Sequence, residues 1–202
     1  MGRSVRAWNH NTHHHRALLR LLPPCPQAAV DVGCGDGSFA ALLGQRCDTV
    51  LALDVDPVQA EAARGRCAAQ SNVRVQEGDF LAAGLPSGRF DVVTALASLH
   101  HMPFEAAVGE VARVLKPGGR LVVLGVWTDR STASDLVLNL MSTAMNLVLR
   151  RLRGPDVMAA PATMPTMTFR EVERSARHHL PGARVKRRAL WRYTLTWEKP
   201  QV

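Results

Sequence analysis

The stretch Val30-Asp31-Val32-Gly33-Cys34-Gly35-Asp36-Gly37 constrains this chain more than any other. A short apolar run carrying an acid breaks into three glycines at alternate positions. Glycine is required where the backbone turns with positive φ, or comes so close to a ligand that a Cβ would collide. A strand that breaks this way and then opens a helix makes the ligand-binding edge of a parallel sheet. The dinucleotide pattern G-x-G-x-x-G needs a third glycine at position 38, which is Ser38. A nicotinamide-dependent dehydrogenase is therefore disfavoured, and no hydride-transfer constellation stands elsewhere in the chain.

Apolar strands and helices alternate around this turn. Strands are predicted over 28–31, 49–54, 73–76 and 90–95, with helices over 38–46, 58–69 (opened by Pro57) and 104–115. Lys116-Pro117-Gly118-Gly119 reads as a turn before a fifth strand over 120–126. Such alternation predicts an α/β fold, a doubly wound, mostly parallel sheet with helices on both faces. Ahead of it, a helix over 13–22 is stopped by Pro23, Pro24 and Pro26. Behind it lie an apolar helix over 134–152, ending in Arg150, Arg151 and Arg153, and a loop over 154–165. Thr168-Phe169-Arg170-Glu171 has capping-box form and opens a helix to about residue 179. Strands over 183–189 and 192–198 then make an antiparallel hairpin. At 202 residues the expectation is one domain, 1–202. It divides into an N-terminal helical cap (1–27), a cofactor-binding core (28–126), a helical lid or insertion (127–182) and a terminal hairpin (183–199).

Acids recur where the next strands end. Asp54 stands in Leu51-Ala52-Leu53-Asp54-Val55-Asp56-Pro57, roughly twenty residues past the glycines, with Asp56 as its competitor. Asp79 stands in Glu77-Gly78-Asp79-Phe80. Asp31, Gly33, Gly35, Gly37, Asp54, Asp79 and the Lys116-Pro117-Gly118-Gly119 turn together resemble the class I methyltransferases over residues 28–126. The resemblance implies S-adenosylmethionine as cofactor, S-adenosylhomocysteine as product, and a seven-stranded sheet ending in an antiparallel hairpin. On that footing the glycine turn lets backbone amides at the next helix N-terminus approach the cofactor. Asp31 orders the turn or meets the cofactor ammonium, and Asp54 accepts from the ribose hydroxyls. Asp79 accepts from the adenine amino group, and Phe80 supplies a backbone amide or an apolar wall. Ala95 lies at the end of the fourth strand, which faces the sulfonium.

After that strand comes Ala97-Ser98-Leu99-His100-His101. His100 falls where plant-type small-molecule O-methyltransferases carry a catalytic histidine, and a base near neutral pH suits a hydroxyl acceptor. His101 is the second candidate, and both also read as plain loop architecture. The expected acceptor is a small molecule, apolar or aromatic, with O-methylation favoured. Its pocket is expected from the N-terminal helix, Trp127 and the methionines Met141, Met145, Met158 and Met164, a stripe that equally suits a homodimer face, a membrane surface or helical core. RNA or protein methylation is the alternative, lacking the Asn/Asp-Pro-Pro-Tyr motif of amino-group and base methylases. A non-catalytic scaffold that keeps the fold is the other.

The remaining signals are weaker. His10, His13, His14 and His15 cluster with no nearby acid to orient them, so no metal is expected. Four cysteines show no C-x-x-C spacing and read as reduced thiols. The net charge of +8 is almost all arginine, with lysine only at Lys116, Lys186 and Lys199. Such a skew reads as genome base composition, and the cations do not interleave with aromatics, so no nucleic-acid partner is expected. No apolar run reaches the roughly 18–20 residues of a membrane span, and no signal-peptide core is evident, which points to the cytoplasm.

Overall fold

The computed structural model describes residues 11–128, 143 and 165–201. Its strands are β1 (Ala28–Val32), β2 (Thr49–Asp54), β3 (Val73–Glu77), β4 (Phe90–Leu96), β5 (Leu115–Val126), β6 (Arg184–Arg188) and β7 (Arg192–Glu198). They form one sheet in the order β3-β2-β1-β4-β5-β7-β6. The first five are parallel, and β7 pairs antiparallel with both β5 and β6. The helices are α1 (His15–Leu19), α2 (Ser38–Leu43), α3 (Pro57–Cys67), α4 (Phe104–Val114) and α5 (Phe169–His179). Among the described residues no helix is long and apolar enough to cross a membrane.

All five residues of β1 are buried, as befits a central strand covered on both faces. Val30 and Val32 join one core with Val108 and Val111 of α4 and Val172 and Ala176 of α5. Ala29, on the opposite face, joins Leu18, Phe39 and Leu43 of α1 and α2. In α4 the buried positions are Ala107, Val108, Val111 and Val114, the spacing of one helical stripe. The Thr168–Glu171 capping box forms as expected and starts α5. The chain winds outward from β1 to β3, then returns to lay β4 on the other side of β1. A crevice therefore opens above the carboxyl ends of β1 and β4.

Two sequence expectations are corrected. Lys116-Pro117-Gly118-Gly119 is not a turn ahead of the strand but an irregular part of β5. The pairing steps from Phe90↔Leu115 to Val92↔Arg120, so the extra residues bulge. Gly118 there has φ +75, its amide donates to the Lys199 carbonyl, and the Lys199 amide donates to the Gly119 carbonyl. The N-terminal helix is shorter than 13–22. Residues Thr12–His14 form a 3-10 turn and the α-helix ends at Leu19. The Leu21 amide bonds the Leu18 carbonyl at 2.9 Å, a tightening that closes the helix before Pro23. The predicted 134–152 helix, the 154–165 loop up to residue 164, His10 and the four lid methionines lie outside the described residues.

Candidate functional site

The three glycines have φ of +64, +54 and +76, all left-handed. What surrounds them differs. A Cβ on Gly33 would stand 2.3 Å from Ser98 Cβ, and one on Gly37 would stand 2.9 Å from Ala63 of α3. Those two are small because protein packs on them. On Gly35 the nearest atom is 3.8 Å away, Gln59 Oε1, so Gly35 is the glycine whose side faces open room.

The acids sit around this turn in different states. Asp31 is buried in the sheet, and its Oδ1 accepts from Thr94 Oγ1 at 2.6 Å. Its buried Oδ2 has no hydrogen-bond partner among the described residues. Burial pushes the Asp31 pKa up to about 7; the Thr94 bond opposes that and the Asp54 charge adds to it. Asp54 Oδ2 accepts from the Gly35 amide at 2.7 Å and its Oδ1 from the Asp56 amide at 3.0 Å. Its competitor Asp56 instead caps α3, accepting from the Val58 amide at 2.8 Å. Asp79 is exposed and closes a local turn onto the Leu81 amide, while Phe80 is buried in the core. Ala95 is buried near the end of β4.

One expectation about the helix N-terminus is modified. The Ser38 amide is already taken by Asp36 Oδ1 at 3.0 Å. Arg66 of α3 then clasps Asp36, from Nε to its carbonyl and from Nη2 to Oδ2. Asp36 and Arg66 thus hold the turn in shape, a role that no linear spacing signals.

Beyond β4, Ala97 has φ +55 and Ser98 Oγ donates to the Val32 carbonyl at 2.5 Å. This pins the Leu99–His101 3-10 turn over the crevice. His100 is half-buried and His101 exposed, with ring centroids 4.0 Å apart. His100 lines a cavity of about 160 Å³ together with Met102, Phe104, Val126, Met167 and Tyr193. Trp127 does not line that cavity; its ring lies against Phe169 and the Arg187 guanidinium. Of the N-terminal histidines, His15 stacks edge-on against Phe39 of α2, and His14 Nε2 lies 3.2 Å from the Ala189 carbonyl. Among the described residues no cluster of metal-ligating side chains occurs.

A glycine turn with one open face thus stands beside a buried acid whose second oxygen has no partner among the described residues. A family profile described as a methyltransferase domain matches residues 30–123. An uncharacterized methyltransferase of Mycobacterium tuberculosis is 32% identical over 195 residues, spanning 96% of this chain and 98% of the relative. The chain belongs to the class I S-adenosylmethionine-dependent methyltransferases.

This methyltransferase also matches the demethylmenaquinone methyltransferase of Thermus thermophilus, 39% identical over 113 residues, 54% of this chain and 51% of that one. The solved N-methyltransferase NodS of Bradyrhizobium japonicum, in complex with S-adenosyl-L-homocysteine, shares the fold at a TM-score of 0.64 and 17% identity. That superposition covers 96% of this chain and 89% of NodS. The methyltransferase cavity contains a residue the sequence reading passed over. Tyr193, the one tyrosine of the chain, lies across Gly125 of β5, where a Cβ would stand 2.0 Å from its Cζ. An isolated glycine inside an apolar strand was the available signal, since it marks a close approach.

Proposed function

We propose that this methyltransferase acts on a hydroxyl of a small apolar or aromatic molecule. The observation that carries the reading is the cavity beside the crevice. Leucine, methionine, phenylalanine and valine side chains share its wall with polar groups that include His100, Thr166 and Tyr193, and about 160 Å³ suits a single ring, since a cavity of roughly 150 Å³ holds benzene. The relative named for demethylmenaquinone supports a small acceptor.

S-adenosylmethionine, when bound, supplies an electrophilic methyl group on a positively charged sulfur. In this reading Asp31 Oδ2 receives the cofactor ammonium, which answers the vacancy at that buried oxygen. Gly35 leaves room for the ligand backbone, and Gly33 and Gly37 keep the turn packed against Ser98 and Ala63. Asp54 accepts from the ribose hydroxyls; each carboxylate oxygen keeps a second lone pair beyond its bond to Gly35 or Asp56. Asp79 and Phe80 flank the adenine, and Ala95 borders the reacting end. His100 accepts the proton of the acceptor hydroxyl as that oxygen forms its bond to carbon, with His101 as the outer neighbour that orients it. Cap and lid functions fall, in this reading, to the segments 1–27 and 127–182, of which residues 11–27, 127–128, 143 and 165–182 are described, and 183–199 closes the sheet.

Incubation with a metabolite extract and methyl-labelled cofactor, followed by mass spectrometry, tests this. Label is expected in a small aromatic or apolar product as an ether. Label confined to the RNA or protein fraction overturns it.

A further inference from the structure

The net charge of +8 has no part in the reaction above, yet the fold sets several of the cations side by side on one surface. Arg20, Arg120 and Arg184 line a shared groove of about 370 Å³ between the end of α1 and the β5-β7-β6 edge. Arg120 is committed, to the Leu21 carbonyl and to Glu198 at 2.7 Å. Arg20 and Arg184 are exposed and have no acidic partner among the described residues. Strand alternation puts Lys186 and Arg188 on the same face as Arg184, and Arg16 sits one helical turn before Arg20. Of the residues lining the groove, Glu198 is the one acid.

From this surface we infer that the β6 edge and α1 dock the enzyme on an anionic phospholipid bilayer. A protein interface of useful strength needs apolar or aromatic anchors at its centre, and among the described residues this face exposes none. The exposed large hydrophobics among the described residues are Val55 and Val58, both far along the chain from this edge. Single-stranded nucleic acid calls for stacking platforms, but Trp197 in the groove is buried and its indole N–H is given to the Pro181 carbonyl. A diffuse field of headgroup phosphates asks only for unpaired cations on an accessible face. The strand geometry fits as well. Arg184 to Arg188 spans about 13 Å, and Arg188 pairs with Arg192 opposite Val126, at the sheet end above which the crevice opens. Arg120 is level with Val92 of β4 and Arg184 with Val122 of β5, so the cations run along the length of the edge and docking lays that edge along the lipid surface, whichever acceptor is methylated.

Co-sedimentation of the full chain with mixed phosphatidylglycerol and phosphatidylcholine vesicles tests the inference. Binding is expected to these vesicles, not to pure phosphatidylcholine, and to weaken steeply with salt. The variant Arg20→Gln/Arg184→Gln/Lys186→Gln removes three cations at about fivefold each, so its partition coefficient should fall about 100-fold while S-adenosylhomocysteine affinity is retained. Equal binding to neutral vesicles, an unchanged partition coefficient in that variant, or tighter binding to duplex RNA or polyglutamate than to anionic vesicles at the same salt overturns it.

Discussion

Thr94 and Asp31 face each other across adjacent parallel strands, and Thr94 Oγ1 donates to Asp31 Oδ1 at 2.6 Å in a fully buried pair. The bond fixes one carboxylate oxygen and leaves the other, also buried, without a hydrogen-bond partner among the described residues. It also holds down an acid that burial pushes up to about 7. If, as proposed, Asp31 receives the cofactor ammonium, it does so as the ionised carboxylate, and S-adenosylhomocysteine affinity should fall as pH drops through about 7, by up to tenfold per pH unit. Thr94→Val should move that midpoint to higher pH, and Thr94→Ser should restore it. Calorimetry across pH checks this; a flat profile would remove Asp31 from the ammonium site.

The same group contributes to the pH dependence of stability in the ligand-free protein. Between its ordinary value of 3.8 and about 7, native Asp31 holds a proton that the unfolded chain has released. Its contribution therefore makes the fold less stable as pH rises through that window. Asp31→Asn should flatten the decline and raise Tm above pH 7, while losing the stabilisation by S-adenosylhomocysteine. Thermal melts with and without the ligand measure both.

His14 and His15 work in the opposite direction. Burial lowers both from 6.5 to about 4, so they are neutral when folded and charged when unfolded between those values. Stability from the N-terminal contacts to Phe39 and Ala189 should be lost as pH falls from 6.5 toward 4. Replacing both by Gln should flatten this part of the pH–stability curve in urea titrations.

The glycines should separate by role. Gly33→Ala drives a methyl against Ser98 and should cost about 1–3 kcal/mol in fold stability. Gly35→Val places its Cβ no nearer than 3.8 Å to a protein atom, Gln59 Oε1, so its fold cost should be about 1–2 kcal/mol from the left-handed φ, yet cofactor binding should vanish. Asp54→Ala should weaken S-adenosylhomocysteine by about 1.5–3 kcal/mol and also destabilise the turn, because the Gly35 amide loses its acceptor. Chemical denaturation and calorimetry on the three variants distinguish these outcomes.

On the acceptor side, Gly125→Ala must displace the Tyr193 ring and reshape the cavity. Acceptor KM should rise several-fold, with cofactor affinity unchanged. His100→Ala should lower kcat by about 10²–10⁴-fold if it takes the proton. Steady-state kinetics on the labelled product decide both.

Local chemistry was enough to place the parallel core. Apolar runs, a proline at a helix start and the Thr168–Glu171 box each act over a few residues, so the strands other than β5, with α3 and α5, were legible to within a residue or two. Legible too were the glycine turn and the order of the three acids. The Lys116-Pro117-Gly118-Gly119 segment misled because its turn chemistry is real, but Leu115 pairs with Phe90 of β4 and Lys199, just past β7, bonds to Gly118 and Gly119, converting a turn into a bulge of β5. Which glycine stays open, which of Asp54 and Asp56 reaches the loop, and how Tyr193 comes to share a cavity with His100 all depend on contacts between residues distant in the chain. Spacing carries the propensity of each segment; only the packing of one segment on another assigns each side chain its neighbours.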